Sequence, residues 1–365
     1  MPNSITNRQM VFILFLTLTS ISLIIMPKLM AESAGVGSWV TIMSTAVVFG
    51  IFTVVIVSLN NMFQGRVLFD YSRELVGKAG SYTIAAFYIL YFIVVAVYLT
   101  SSVSNVLKTN FMLKTPQWAT LLVSLPVFGL AAYKGITNTA RLFEIYGFIF
   151  LITLLAAHFA MIFQGQLENI EPFYIPSETG RYFGAMKDAV VPFLGVEVLT
   201  VIPFTSRNAA HSRKTAFLAL IGIGLVYVLA VESSIMMIGM NEIVHYNDAL
   251  ITALRQVELP FIEFLRRLDV LYLTVGFMGI FASIIIVYTA IVEYVCRVFP
   301  RMKRLLVVAL VGLVIFLLGW IALDISRFGQ MVSEVLTYAG LAAAAFIPIL
   351  LFTIAKVKKR AGKAH

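Results

Sequence analysis

The sequence predicts an all-α, polytopic membrane protein of ten transmembrane helices, arranged as a five-plus-five inverted repeat. Three observations predict it. First, 60% of the 365 residues are hydrophobic and only 12% are charged, more apolar surface than a soluble domain of this size can bury. Second, ten apolar runs reach the roughly 20 residues needed to cross a hydrocarbon core. Third, five runs precede residue 164 and five follow residue 183. A unit with an odd number of spans enters the membrane upside down relative to its copy, as in many transporter folds.

The runs lie near residues 9–33, 37–60, 81–107, 117–134, 140–163, 184–205, 214–239, 269–297, 304–323 and 331–355. Residues 1–163 then form the first repeat, 184–355 the second, and 356–365 a basic tail. The third and eighth runs are long, which predicts tilt. No basic leader precedes the first run, so it reads as a retained span and not as a cleaved signal.

Lys and Arg resist translocation and set the orientation. With the N-terminus inside, the inner segments carry eighteen of them and the outer segments eight, leaving Lys28 within the first span. Both termini are therefore expected in the cytoplasm. The net charge of +9 becomes a topology signal and not a nucleic-acid footprint. The tail "KVKKRAGKAH" is expected against anionic headgroups. Trp39, Trp118 and Trp320 all fall near the outer boundary, where aromatic belts form. Of two long outer connections, 164–183 carries Glu168, Glu171 and Glu178. The other, 240–268, runs into "NDALITALRQVELPFIEFLRRLDV", which reads as a short helix over the outer vestibule, interrupted by Pro260.

The sixth run contains "PFLGVEVLTVIPF", Pro192 to Phe204, with Gly195, Glu197 and Pro203. The first contains Thr17, Thr19, Ser20 and Ser22, followed by Pro27. Superposing the two prolines places Glu197 opposite Ile21, inside the hydroxyl cluster. Interrupted helices at matching positions point to a central binding site, because unwound backbone survives at membrane depth only in protein or at a wet cavity. The competing interpretation is an ordinary proline kink. A carboxylate at the centre of a span costs about 2.5–3.5 kcal/mol on insertion scales and needs a partner. No Lys or Arg stands at similar depth in an obvious neighbouring span. Hydroxyls of the first span, N–H groups freed at the break, or a proton on the carboxyl remain as partners.

In the third span Tyr91, Tyr98, Ser102 and Asn105 share one face, which either lines a cavity or joins helices. Glu232, beside Ser233 and Ser234, admits a structural and a functional reading. Glu293 is expected to pair with Arg297 at the i,i+4 spacing, and Glu334 to be solvated. His158 reads as a satisfied polar residue without a metal-ligand cluster. The single cysteine, Cys296, reads as a packing residue. No nucleophile elbow, phosphate loop or zinc spacing is present, so neither an enzyme nor a cofactor is expected.

Four segments together resemble the spore germination permease family: "ITNRQMVFILFLTLTSISLIIMPKLMAESAGVGSWV" (5–40), "FQGRVLFDYSRELVGKAG" (63–80), "PFLGVEVLTVIPF" (192–204) and "FIEFLRRLDVLYLTVGF" (261–277). The most specific pieces are the proline–small–Trp passage into the second span, F-x-G-x-E in the sixth, and an E-x-x-R-x-D-like stretch, here "EFLRRLD". The resemblance implies the B subunit of a nutrient germinant receptor, with the LeuT-like fold of the amino acid–polyamine–organocation superfamily. It implies a spore inner-membrane location, an A subunit and a lipoprotein C subunit as partners, and a small nutrient, often an amino acid, as ligand. The implied pocket lies between the breaks of spans 1 and 6, walled by spans 3 and 8. Its candidate residues are Thr19, Ser20, Ser22, Tyr98, Ser102, Gly195, Glu197 and Ser283. Two departures stand out. Superfamily transporters carry glycines where span 1 reads "TSIS", so carboxylate capture by backbone N–H groups is weakened. Span 8 lacks a paired Ser/Thr at the coupling-ion depth and span 5 lacks a buried lysine, which favours a receptor over an amino acid/proton-type secondary transporter.

Overall fold

The computed structural model describes residues 5–110, 112–204, 206–246, 248–257, 268–323, 325 and 328–361. Pro260 and most of "EFLRRLD" lie outside these residues, as do Arg327 and Lys363. Fourteen α-helices occur among the described residues: α1 (Asn7–Ser33), α2 (Ser38–Met62), α3 (Leu68–Asn110), α4 (Gln117–Lys134), α5 (Ile136–Gln164), α6 (Thr179–Gly184), α7 (Val190–Phe193), α8 (Ser206–Ile238), α9 (Met240–Ile243), α10 (Ala249–Arg255), α11 (Leu268–Val298), α12 (Arg304–Leu323), α13 (Phe328–Leu341) and α14 (Ile347–Ala361).

Among the described residues eight helical stretches are long and apolar enough to cross a membrane, which makes this a multi-pass integral membrane protein. The other two expected spans are α4, only 18 residues long with Pro126 inside, and the sixth, which is broken. α3 is bent at Gly77, whose φ of 77° and ψ of 180° are not helical; its first turns precede the span proper. The tenth span is α13 and α14 joined by a π-helical segment, Ala342–Phe346, just ahead of Pro348, which has no N–H to continue an i→i−4 ladder.

The packing obeys the exchange of halves that an inverted repeat requires. α2 packs on α8, α3 on α11 and α4 on α12, while the cross pairs α3–α12 and α4–α11 both occur. α5 lies on α1 as α13 lies on α7. At the end away from the termini, α10 lies against α1, α8 and α11, the place expected for a vestibule helix. Nearby, Tyr182 of α6 is fully buried. A Cβ on Gly37 would collide with its ring, so the α1–α2 turn and the 164–189 connection close on each other.

The two expected interruptions differ. α1 runs from Asn7 to Ser33 without a break, through Pro27. Two of its hydroxyls turn back on the helix: Thr17 and Thr19 donate to Ile13 O and Phe15 O, each at 2.6 Å, so they are satisfied locally. No glycine lies between Thr17 and Pro27 to let the backbone leave the helical region. The sixth span does break. After α7, Leu194 is extended (φ −69°, ψ 148°), Gly195 takes φ +125°, and a 3₁₀ helix follows from Val196 to Val201. Ile202 is extended again ahead of Pro203, as residues before proline prefer.

Candidate functional site

The site is built around the break. At φ +125° Gly195 occupies backbone space that other residues rarely enter. A Cβ there would also stand 2.8 Å from Thr17 Cγ2 and 3.0 Å from Leu18 Cδ1. The glycine thus permits both the turn and the close approach of the break to α1. The 3₁₀ segment is pinned from three sides. Asn60 of α2 donates to Leu199 O (2.8 Å) and Tyr71 to Asn60 Oδ1 (3.1 Å). From α11, Tyr294 donates to Thr200 Oγ1 (3.1 Å), and Thr200 donates to Glu197 O (2.6 Å). Tyr227 of α8 donates to Leu18 O at 2.6 Å and to Pro192 O at 2.8 Å, tying α1 to the first half of the break.

Glu197 is 1% exposed. Its Oε1 accepts the Tyr91 hydroxyl at 2.7 Å, and its Oε2 accepts the Gly195 N–H at 2.9 Å. A buried carboxyl must be paired or hydrogen-bonded, and here the break itself supplies one donor. The other comes from α3, not from the hydroxyls of α1. Thr19 bonds within its own helix, and Ser20 pairs with Ser283 of α11 at 2.7 Å.

Beside Glu197 lies a cavity of about 50 Å³, room for a few waters at about 10–15 Å³ each. Of the sequence candidates, Ser22, Tyr98, Gly195 and Glu197 line it, while Thr19, Ser20, Ser102 and Ser283 do not. Ser283 instead donates to Leu16 O at 2.8 Å and joins α11 to α1, and Ser102 stands beside the Tyr98 hydroxyl. Thr17, Ile21 and Tyr91 line the cavity although they were not among the candidates. A signal for them existed. The proline alignment sets Glu197 opposite Ile21, and Thr17 and Ile25, one turn either side, share its face; Ile25 lines the cavity as well. Tyr91 was on the polar face of the third span.

Away from the cavity, Glu293 does not pair with Arg297. Glu293 binds Arg304 (2.7 Å) and Arg297 binds Asp70 (2.6 Å). Long arginines reach across helices, and each here takes a carboxylate on another helix over one on its own. His158 is fully buried and bonded through Nδ1 to Ser233 at 2.9 Å. No group of three His, Cys, Asp or Glu suited to a metal occurs among the described residues.

The family described as "Spore germination protein" matches residues 4–323. The chain belongs to this spore germination permease family. Its relatives there include spore germination protein YndE of Bacillus subtilis (strain 168), 24% identical over 99% of both chains. Spore germination protein B2 of the same organism is 22% identical over 73% of this chain and 72% of its own. Spore germination protein A2, also from that organism, is 21% identical over 98% and 97%. Among solved structures, the chain is similar to Mhp1, a nucleobase-cation-symport-1 family transporter, in a closed conformation with bromovinylhydantoin bound. The TM-score is 0.67 at 14% identity, covering 96% of this chain and 77% of that one. The fold of the family member described here is therefore LeuT-like. Family and fold are those of permeases and transporters and not of enzymes.

Proposed function

We propose that this chain is the membrane subunit of a spore nutrient germinant receptor, binding a small nutrient in the cavity beside Glu197. The observation that carries the reading is a buried carboxylate held by a helix break, Gly195 N–H and Tyr91 hydroxyl, against an otherwise largely apolar cavity. Such a cavity suits a small apolar molecule with an amino group, an amino acid or its like. The ammonium would take the Tyr91 position on Oε1, charge meeting charge where water is excluded. Because α1 stays helical, it offers no freed N–H groups to a carboxylate, so in this reading Glu197, Ser22 and Tyr98 carry recognition. At about 50 Å³ the cavity is contracted, so a ligand must open it. That makes binding and a shift of the α1–break arrangement one event, the requirement for a sensor.

The same reading puts the protein in the spore inner membrane, with both termini cytoplasmic, an A subunit and a lipoprotein C subunit as partners. A second reading, secondary transport coupled to a proton on Glu197, is favoured by the likeness of the fold to a symporter. The two are separated by measurement. For a receptor, a panel of amino acids includes one that raises the melting temperature of the purified protein. At 100 times its Kd that ligand stabilises by about 2.7 kcal/mol, and Glu197→Gln abolishes the gain while receptor assembly persists. Uptake into proteoliposomes that follows a pH gradient decides for transport. A Glu197→Gln protein with an unchanged nutrient response removes Glu197 from the site.

A further inference from the structure

A second built feature lies at the end of the bundle that carries the termini. A polar cleft of about 280 Å³ opens between the α4–α5 turn and α11 and α12. Lys134, Arg297, Arg304 and Glu293 line it together with Asn138. Arg304 is held by Glu293 and by Ala132 O (2.8 Å), and Arg297 by Asp70. Three cations and one carboxylate, Glu293, thus line the cleft, with Asp70 behind Arg297. Lys134 forms no ion pair among the described residues. Among the described residues the Nε–H groups of both arginines are buried without an acceptor. With Asp70 set against Arg297 and Glu293 against Arg304, Lys134 leaves the cleft one negative charge short.

Two apolar grooves run from this cleft, one on each side of α4. The first, about 680 Å³, lies between α4 and α12, floored by Gly129, Ala309 and Gly312, and meets the cleft at Tyr133. The second, about 410 Å³, lies among α4, α5 and α11 and meets it at Lys134 and Asn138. Leu130 belongs to both grooves and stands between them. From Leu122 to Tyr133 the first groove extends roughly 17 Å at 1.5 Å per residue. That is about half of a ~30 Å hydrocarbon core, the depth of one leaflet.

One anion seat with two apolar channels of leaflet depth matches one class of molecule. We propose that this cleft and its grooves bind a single anionic two-chain phospholipid of the cytoplasmic leaflet, its phosphate on Lys134, Arg297 and Arg304 and its acyl chains on either side of α4. Basic pockets between helices at the cytoplasmic side are suited to anionic headgroups. The first turn of α5, which has no side-chain cap, adds the backbone N–H groups of Ile136, Thr137 and Asn138. The site is separate from the Glu197 cavity, but α11 walls both: Val287 lines the cavity and Glu293 and Arg297 the cleft.

Native mass spectrometry of the purified full-length protein tests this, with phosphatidylglycerol and phosphatidylcholine of identical chains as probes. One phosphatidylglycerol is expected to bind at least fivefold more tightly than phosphatidylcholine. Lys134→Gln, an exposed side chain, should lower that preference about fivefold, the weight of one cation near an anionic surface. Ala309→Phe, which fills the exposed first groove, should weaken both lipids while the lipid-free melting temperature holds. Inorganic phosphate at the same concentration should not displace the lipid. Equal affinity for the two lipids, indifference to Lys134→Gln, indifference to Ala309→Phe, or full displacement by phosphate overturns the proposal.

Discussion

α1 and the sixth span occupy matching places in the two repeats and each carries a proline, yet one is a continuous helix and the other is broken. The proline is therefore not what breaks a span here. Proline removes one donor and neighbouring groups re-satisfy the freed carbonyls. The break needs a residue that can leave helical φ/ψ altogether, and Gly195 at φ +125° is that residue. The continuous partner then serves as the wall that the broken one leans on, with Thr17 and Leu18 in contact distance of where a Cβ at position 195 would be.

The comparison is broken most directly at the glycine. Gly195→Val forces a β-branched side chain into left-handed backbone and against α1. Strain and overpacking of about 1–3 kcal/mol each are expected to leave little folded protein, read as the monodisperse fraction after purification and as melting temperature. A Gly195→Val protein as stable as wild type would mean that the break does not depend on the glycine. Next in size is the clamp between the two spans. Tyr227→Phe removes the hydroxyl shared by Leu18 O and Pro192 O and should cost about 1 kcal/mol, the net weight of an intramolecular hydrogen bond. It should also change ligand-induced stabilisation, because it loosens the α1–break arrangement itself. The smallest effect is expected at the unbroken contact. Ser283→Ala removes the hydroxyl pair with Ser20 and should cost about 0.6 kcal/mol, the usual weight of an interhelical hydrogen bond in a membrane. Since neither serine lines the cavity, ligand-induced stabilisation should hold. A large loss of ligand response in Ser283→Ala would bring α11 back into the site.

Much of this was legible before any coordinates. The spans follow from hydropathy because backbone groups in lipid must be satisfied within a helix, and the odd count per half implies inversion. Glu197 and Gly195 were conspicuous as costly residues in a span. Less legible was which hydroxyls of α1 face the cavity. Thr17, Thr19, Ser20 and Ser22 lie within two turns and point around the helix, so choosing among them needs its rotation, which packing on α5, α8 and α11 sets. Ser20 and Ser283 proved to be joined to each other, and Thr19 to its own backbone. The charged ends are not set locally either: Glu293 has Arg297 one turn away but is bound to Arg304, across the α11–α12 connection.

By itself the sequence determined the class of the molecule, its direction-setting charge bias, and the point at which one helix had to yield, because each follows from the cost of putting a given residue type in hydrocarbon. Only the tertiary structure decided who answers that cost. Glu197 is satisfied by Tyr91, 106 residues away along the chain, and by the N–H its own break released. Partners of that kind are chosen by which helix faces turn toward one another, and no local pattern in the chain carries that information.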